Sequence, residues 1–270
     1  MDDKKLEKFA RFGIATKGFV YILIGGLAAL AAFGAGGQKT GSSGVLEFIA
    51  GQPFGQILLV ITALGLLGYL FWRFYQAFKD PENKGNDMKG LAKRAGYFFS
   101  GAFYGFLAFT AIQMVVGAGS GSGSGGGQET VVATLLSKTY GQVLVALLGG
   151  IFLIKAIHQF YQAYSENFKK KLRQSKLDEK ARNLVYKSGK IGFTARGIVI
   201  GIISFLTFRA AFTANSSQAG GTDDAFSFIQ STFGSVVFLL IAVGLVAYGV
   251  FMFIKARYSE IHISSNLSYT

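Results

Sequence analysis

Residues 54 to 78 read FGQILLVITALGLLGYLFWRFYQAF. The stretch opens on an aromatic-glycine pair, runs through a long apolar middle, and closes in an aromatic-rich end that carries Arg73. An α-helix rises about 1.5 Å per residue and the bilayer core is about 30 Å thick, so about 20 apolar residues span it. The design returns at Tyr140–Gly141, leading to Phe160-Tyr161-Gln162-Ala163-Tyr164, and at Phe233–Gly234, leading to Phe253-Ile254-Lys255-Ala256-Arg257. In the first two copies the FYQA tetrad stands 19 to 22 residues after the glycine.

Working backwards, each copy is preceded by a glycine pair: Gly13 and Gly18, Gly96 and Gly101, Gly192 and Gly197. The second glycine of each pair lies 37, 40 and 37 residues before the aromatic-glycine pair. The longer interval contains the tract GAGSGSGSGGG, residues 117–127, a composition that reads as a flexible coil. A fixed period of this kind marks tandem repeats. The basic residues 4–17 followed by the apolar run from Gly18 also fit the n- and h-regions of a signal peptide. Because that run belongs to a repeat, it is expected to be kept.

Composition agrees with a membrane chain. Of 270 residues, 51% are hydrophobic and only 15% charged, against about 25% in a soluble domain. With no Cys there is no disulfide, thiolate metal site or cysteine nucleophile. The net charge of +13 sits in bands between apolar segments, which is the pattern of orientation signals and not of a nucleic-acid module. Of the 27 Lys and Arg, all but Lys39, Lys138, Lys155 and Arg209 lie at the N-terminus, in alternate connectors, at the C-terminal flank or, as Lys17, Arg73 and Lys255 do, at the adjoining ends of the spans. Both termini are therefore expected in the cytoplasm.

The fold expected is an all-α integral membrane protein with six transmembrane helices, arranged as three tandem two-helix repeats around a pseudo-threefold axis. Repeat 1 covers 1–87, with spans at about 14–34 and 55–78; repeat 2 covers 88–166, with spans at about 96–117 and 141–164. A basic cytoplasmic connector, 167–190, precedes repeat 3 at 191–270, with spans at about 197–213 and 234–256. Gly55, Gly141 and Gly234 are expected at one level near the outer surface.

The repeat opening GIATKGFVYILIGGLAAL and the repeat close GQPFGQILLVITALGLLGYLFWRFYQAF resemble those of a bacterial family, domain-of-unknown-function family 1206. The resemblance runs from about Leu6 to Ser259 and is strongest in repeat 1; repeat 2 lacks the Gln-Pro and repeat 3 the closing FYQAF. It implies a tandem of three two-span units and localisation in the bacterial cytoplasmic (inner) membrane. It implies no activity, cofactor or catalytic residue.

Few residues point to chemistry. The histidines, His158 and His262, have no second ligand at helical spacing, so no metal or other cofactor is expected. An intramembrane enzyme would need a nucleophile and base within the spans. Ser100 and His158 come nearest and lack a third member, so no enzyme is expected. Trp72, Arg73 and His158 read as interfacial residues, Arg73 reaching towards head groups. Glu47, Glu129, Asp223 and Asp224 each precede an aromatic-glycine pair. They read as N-terminal charges of short outer helices or, alternatively, as an acidic ring at a pore mouth.

No span contains a carboxylate, which makes the charges Arg209 and Lys155, with the polar Gln113, a candidate intramembrane site. Either both long side chains snorkel to opposite faces, or they mark a site for an anionic ligand or lipid head group. The partners expected are membrane lipids, a membrane protein or a second copy of the chain, and no nucleic acid. The function expected is a non-enzymatic membrane scaffold or accessory protein. The alternative is a small transporter or channel with an anion path along the axis.

Overall fold

The computed structural model describes residues 3–117, 126–165 and 179–258, and among them no strand occurs. Most of the Gly/Ser tract, part of the basic connector and the C-terminal tail lie outside the described residues. The helices are α1 (Asp3–Ala32), α2 (Ser42–Ala50), α3 (Gly55–Lys79), α4 (Met88–Val116), α5 (Gly126–Leu136), α6 (Gly141–Tyr164), α7 (Glu179–Thr213) and α8 (Thr222–Tyr258). A 3₁₀ turn, Ser216–Gln218, separates α7 from α8. The chain's prolines, Pro53 and Pro81, both fall between helices, where a missing N–H breaks no ladder.

Among the described residues six helices are long and apolar enough to cross a membrane, namely α1, α3, α4, α6, α7 and α8. The protein is thus a multi-pass membrane protein built from three two-span repeats. Several spans run further than their apolar stretch alone. The helix of α7 begins at Glu179, so the polar residues before Gly197 continue the span, and α4 begins at Met88, well ahead of Gly96. The Asp87 carboxylate caps α4 by accepting from the Gly90 amide at 3.0 Å.

Each repeat places a short helix before its second span, and the aromatic-glycine pair makes the turn between them. The Gly55 amide donates to the Gln52 carbonyl, and the Gly141 amide to the Lys138 carbonyl, both at 2.8 Å. A Cβ on Gly141 would stand 2.6 Å from the Leu136 carbonyl oxygen, and one on Gly55 would strike the Ala50 carbonyl. In repeat 3 the same position solves a different problem. Gly234 takes φ 83°, ψ 170°, so α8 is a short helix and a span joined at a break that only glycine adopts easily.

The helices sort into two units. One holds Met1–Phe19, Leu46–Ser120 and Met252–Thr270; the other holds Val20–Val45 and Gly121–Phe251. In the first, Leu59, Leu66, Tyr69, Tyr104 and Leu107 are buried where α3 meets α4 and the first half of α1. In the second, Val132, Val145, Ala210, Ala211 and Ala219 form one cluster, and Phe226, Ile229 and Phe238 are buried in α8. The spans also keep large apolar side chains exposed, among them Ile61, Leu64, Phe106, Phe109, Leu240 and Val243. On a membrane protein these are lipid-facing surface.

Within repeat 1, α1 and α3 approach to backbone contact. A Cβ on Gly13 would stand 2.7 Å from the Tyr69 Cα, and one on Gly65 would run into Thr16. Repeat 3 reproduces both contacts at equivalent positions: a Cβ on Gly192 would meet the Tyr248 amide nitrogen at 2.6 Å, and one on Gly244 would strike Ala195. Tight small-residue packing of this kind replaces the hydrophobic drive that lipid does not supply.

Candidate functional site

The chemistry of the spans gathers around the opening glycines Gly13, Gly96 and Gly192. Two residues before each stands a basic side chain: Arg11, Arg94 and Lys190. The C-terminus of a helix exposes unpaired carbonyls with partial negative charge, which a cation satisfies well. Arg11 Nη1 donates to the Ala256 carbonyl at 2.6 Å and to the Arg257 carbonyl at 3.0 Å, closing the end of α8. Glu7 holds the same guanidinium from one turn earlier in α1. Arg94 Nε donates to the Ala77 carbonyl at 2.8 Å and Nη2 to the Phe78 carbonyl at 3.3 Å, closing the end of α3. Ala77 and Ala256 occupy one repeat position, as do Phe78 and Arg257. In the remaining pair Lys190 Nζ lies 4.7 Å from the ring centroid of Tyr164, the last residue of α6.

Four residues after the glycine a second cation enters. Lys17 is only 3% exposed, and its Nζ donates to the Tyr69 hydroxyl at 3.1 Å. The ammonium lies 4.9 Å from the Tyr69 ring centroid and 5.1 Å from that of Tyr104, and the two rings meet edge to face at 4.6 Å. Repeat 3 builds the same cluster from Arg196. Its Nε donates to the Tyr21 hydroxyl at 2.9 Å and its Nη1 to the Tyr248 hydroxyl at 3.1 Å, with those rings edge to face at 4.7 Å. Ring faces and phenol oxygens solvate these cations beside apolar stretches, 18–33 and 197–213, that hold no carboxylate.

Equivalent positions explain the match. Tyr69 and Tyr248 sit 14 residues after Gly55 and Gly234, and Tyr104 and Tyr21 sit eight after Gly96 and Gly13. Each cluster therefore takes its cation and one tyrosine from a repeat and the other tyrosine from the first span of another. The corresponding trio is Ser100, Lys155 and Ile200. Here the sequence carries its cation on the second span of the repeat instead of the first.

The interfacial candidates lie within this frame. Arg73 is half-buried on α3. Its Nε donates to the Tyr69 hydroxyl at 2.8 Å and its Nη1 to the Gln76 side-chain amide oxygen at 2.9 Å. Its guanidinium also stacks over Tyr69 and Tyr97. Gln76 passes the network on to Glu82 at 2.9 Å, which pairs with Lys84 at 3.1 Å. Trp72 is buried and stacks on Tyr75, whereas His158 is exposed on α6.

Of the intramembrane candidates, Arg209 is exposed on α7, Lys155 is exposed on α6, and Gln113 is half-buried on α4, its carbonyl capping that helix through the Gly117 amide. The acidic residues divide. Glu129, Asp223 and Asp224 occupy the first turns of α5 and α8, as N-terminal charges should, and Asp224 accepts from the Gly221 amide at 2.9 Å. Glu47 instead lies past the first turn of α2, which begins at Ser42 and has no acidic residue there. Among the described residues no group of three or more His, Cys, Asp or Glu could hold a metal ion.

The charge pattern of the sequence does not single out Lys17, Arg196 and their tyrosines, since the two cations read there as orientation charges. The available signal was the register of glycine, cation and tyrosine at offsets zero, four and eight, complete only at Gly13, Lys17 and Tyr21.

The family described as Domain of Unknown Function (DUF1206) matches residues 12–80, 95–166 and 191–259. Those intervals coincide with the three repeats. A relative in Bacillus subtilis (strain 168), described as "Uncharacterized protein YxxB", is 34% identical over 256 residues, covering 94% of this chain and 92% of its own. No solved structure matches significantly. With three tandem matches and a full-length relative, the chain belongs to the DUF1206 family.

Proposed function

We propose that the protein is a non-enzymatic scaffold or accessory protein of the bacterial cytoplasmic membrane. Both termini lie in the cytoplasm, and the repeats are related by a pseudo-threefold axis. The carrying observation is that the basic groups near the spans' opening glycines are committed to the protein itself. Arg11 and Arg94 close helix ends, while Lys17, Arg73 and Arg196 serve tyrosine hydroxyls. Glycine contacts seat the paired spans against backbone, which favours a fixed frame over a path that opens. The service that Arg11 of repeat 1 gives to repeat 3 is what a cyclic arrangement of three equal units requires. The exposed apolar faces suit lipid, a membrane protein partner or a second copy.

The reading is tested in liposomes loaded with chloride, phosphate or a small carboxylate. The reconstituted chain is expected to release none of them faster than empty vesicles. Release would favour the second reading, a small transporter or channel for an anionic solute or lipid head group. One observation supports that alternative: Lys17 is buried at the head of an apolar stretch, 18–33, that holds no carboxylate. If it holds, Lys17→Met abolishes the release while the protein stays folded.

A further inference from the structure

Arg209 differs from the other span cations. It stands on an exposed face of α7, and its guanidinium engages no acceptor, carboxylate or ring among the described residues; only its backbone carbonyl is used, by the Thr213 hydroxyl at 2.8 Å. Around it Phe205, Phe208, Phe212 and Thr213 line an open groove of about 540 Å³. Phe208 and Phe212 stack at 6.3 Å, and Phe212 is 81% exposed. The helix ends at Thr213, four residues on, so Arg209 lies about 6 Å below the end of the span, where acyl chains give way to head groups.

We infer that this groove holds a single anionic phospholipid, its phosphate on the Arg209 guanidinium and an acyl chain along Phe205, Phe208 and Phe212. An unpartnered charge in hydrocarbon is costly, and a guanidinium fork matches two phosphate oxygens. The apolar remainder of the groove fits an acyl chain and offers a soluble anion nothing. The equivalent positions in the other repeats are Leu30 and Gln113, so the chain carries one such site and not three. The site lies on a lipid-facing surface and stands whether the protein is a scaffold or a transporter.

The test uses the full chain extracted from vesicles of equimolar phosphatidylglycerol and phosphatidylcholine, with retained lipid counted by native mass spectrometry. The expected result is one phosphatidylglycerol per chain, with retention falling about tenfold in Arg209→Leu, the scale of one charge-assisted hydrogen-bonded pair. The exposed-loop variant Lys138→Leu should retain it in full. An Arg209→Leu protein that keeps phosphatidylglycerol as wild type does overturns the inference. So does equal retention of phosphatidylcholine, or displacement of the lipid by millimolar inorganic phosphate. Since the side chain is exposed, Arg209→Leu is expected to fold; retention lost together with helical circular dichroism would be resolved by Phe212→Ala, which must lower retention by itself if the inference holds.

Discussion

Arg11, near the start of the chain, donates to the carbonyl of Ala256, near its end, at 2.6 Å. Arg94 makes the equivalent bond to Ala77 at 2.8 Å. A basic residue two places before an opening glycine thus closes the last turn of another repeat's second span. Charge-assisted bonds of this kind contribute more than neutral ones, but these guanidinia are part exposed and screened. Arg94→Ala is expected to lower stability by about 1–2 kcal/mol, read from an unfolding equilibrium in mixed micelles. An effect no larger than that of the exposed neighbour Lys93→Ala would remove the capping role.

Gly13, Gly96 and Gly192 occupy one repeat position in three surroundings. A Cβ would meet Tyr69 backbone at the first and Tyr248 backbone at the third, whereas nothing lies within 4 Å at the second. Alanine at Gly13 or Gly192 is expected to cost about 1–3 kcal/mol by forcing the helices apart. Alanine at Gly96 should be neutral or gain up to about 1 kcal/mol from helix propensity. Thermal denaturation of the three variants side by side checks this, and equal behaviour at all three positions contradicts it.

The Tyr69 hydroxyl accepts from both Lys17 and Arg73. Removing it by Tyr69→Phe takes an acceptor from two cations and is expected to cost about 1–3 kcal/mol. With Lys17→Met already in place the same change should cost less, because one of the two donors is gone. A double-mutant cycle measures the difference, and strict additivity would deny the coupling.

Asp80, in the loop after α3, accepts from the backbone amides of Lys84 and Gly85, both at 2.8 Å. These bonds, the Lys84 amide foremost, hold its carboxyl below the ordinary value of 3.8 against a weaker opposing effect of desolvation. A depressed folded value means the contribution is fully present above 3.8 and is lost as pH falls through the lower, folded value. Protease cutting of the 80–87 loop should therefore rise in acid in the wild type. In Asp80→Asn the loop should be cut faster at neutral pH, with that acid dependence absent. A wild-type loop equally resistant throughout would argue against the carboxylate's role.

The chain has no cysteine, so single introduced ones report sidedness cleanly. Ser42→Cys and Gln218→Cys should label from outside intact cells, as should Ser122→Cys, and Ser175→Cys should not; the last two positions lie outside the described residues. Labelling of Ser175→Cys alone would invert the topology.

The spans and the repeat were legible in the sequence because each depends on composition and period, which need no partner. About 20 apolar residues fix a span wherever it packs, and the aromatic-glycine pair marks where short helix and span join, by a turn at Gly55 and Gly141 and by a break in α8 at Gly234. The pairing of Lys17 with Tyr69 was not legible, since those residues stand 52 apart and become neighbours only through the Gly13 contact that lets α1 and α3 touch. Exposure decided the rest. In the sequence Arg196 reads as an orientation charge and Arg209 as an intramembrane candidate, yet tertiary packing turns Arg196 onto two tyrosines and leaves Arg209 exposed on α7. Sequence sets which charges enter the membrane; packing sets which of them the protein itself satisfies, because a burial cost of several kcal/mol is met only where another helix brings an acceptor.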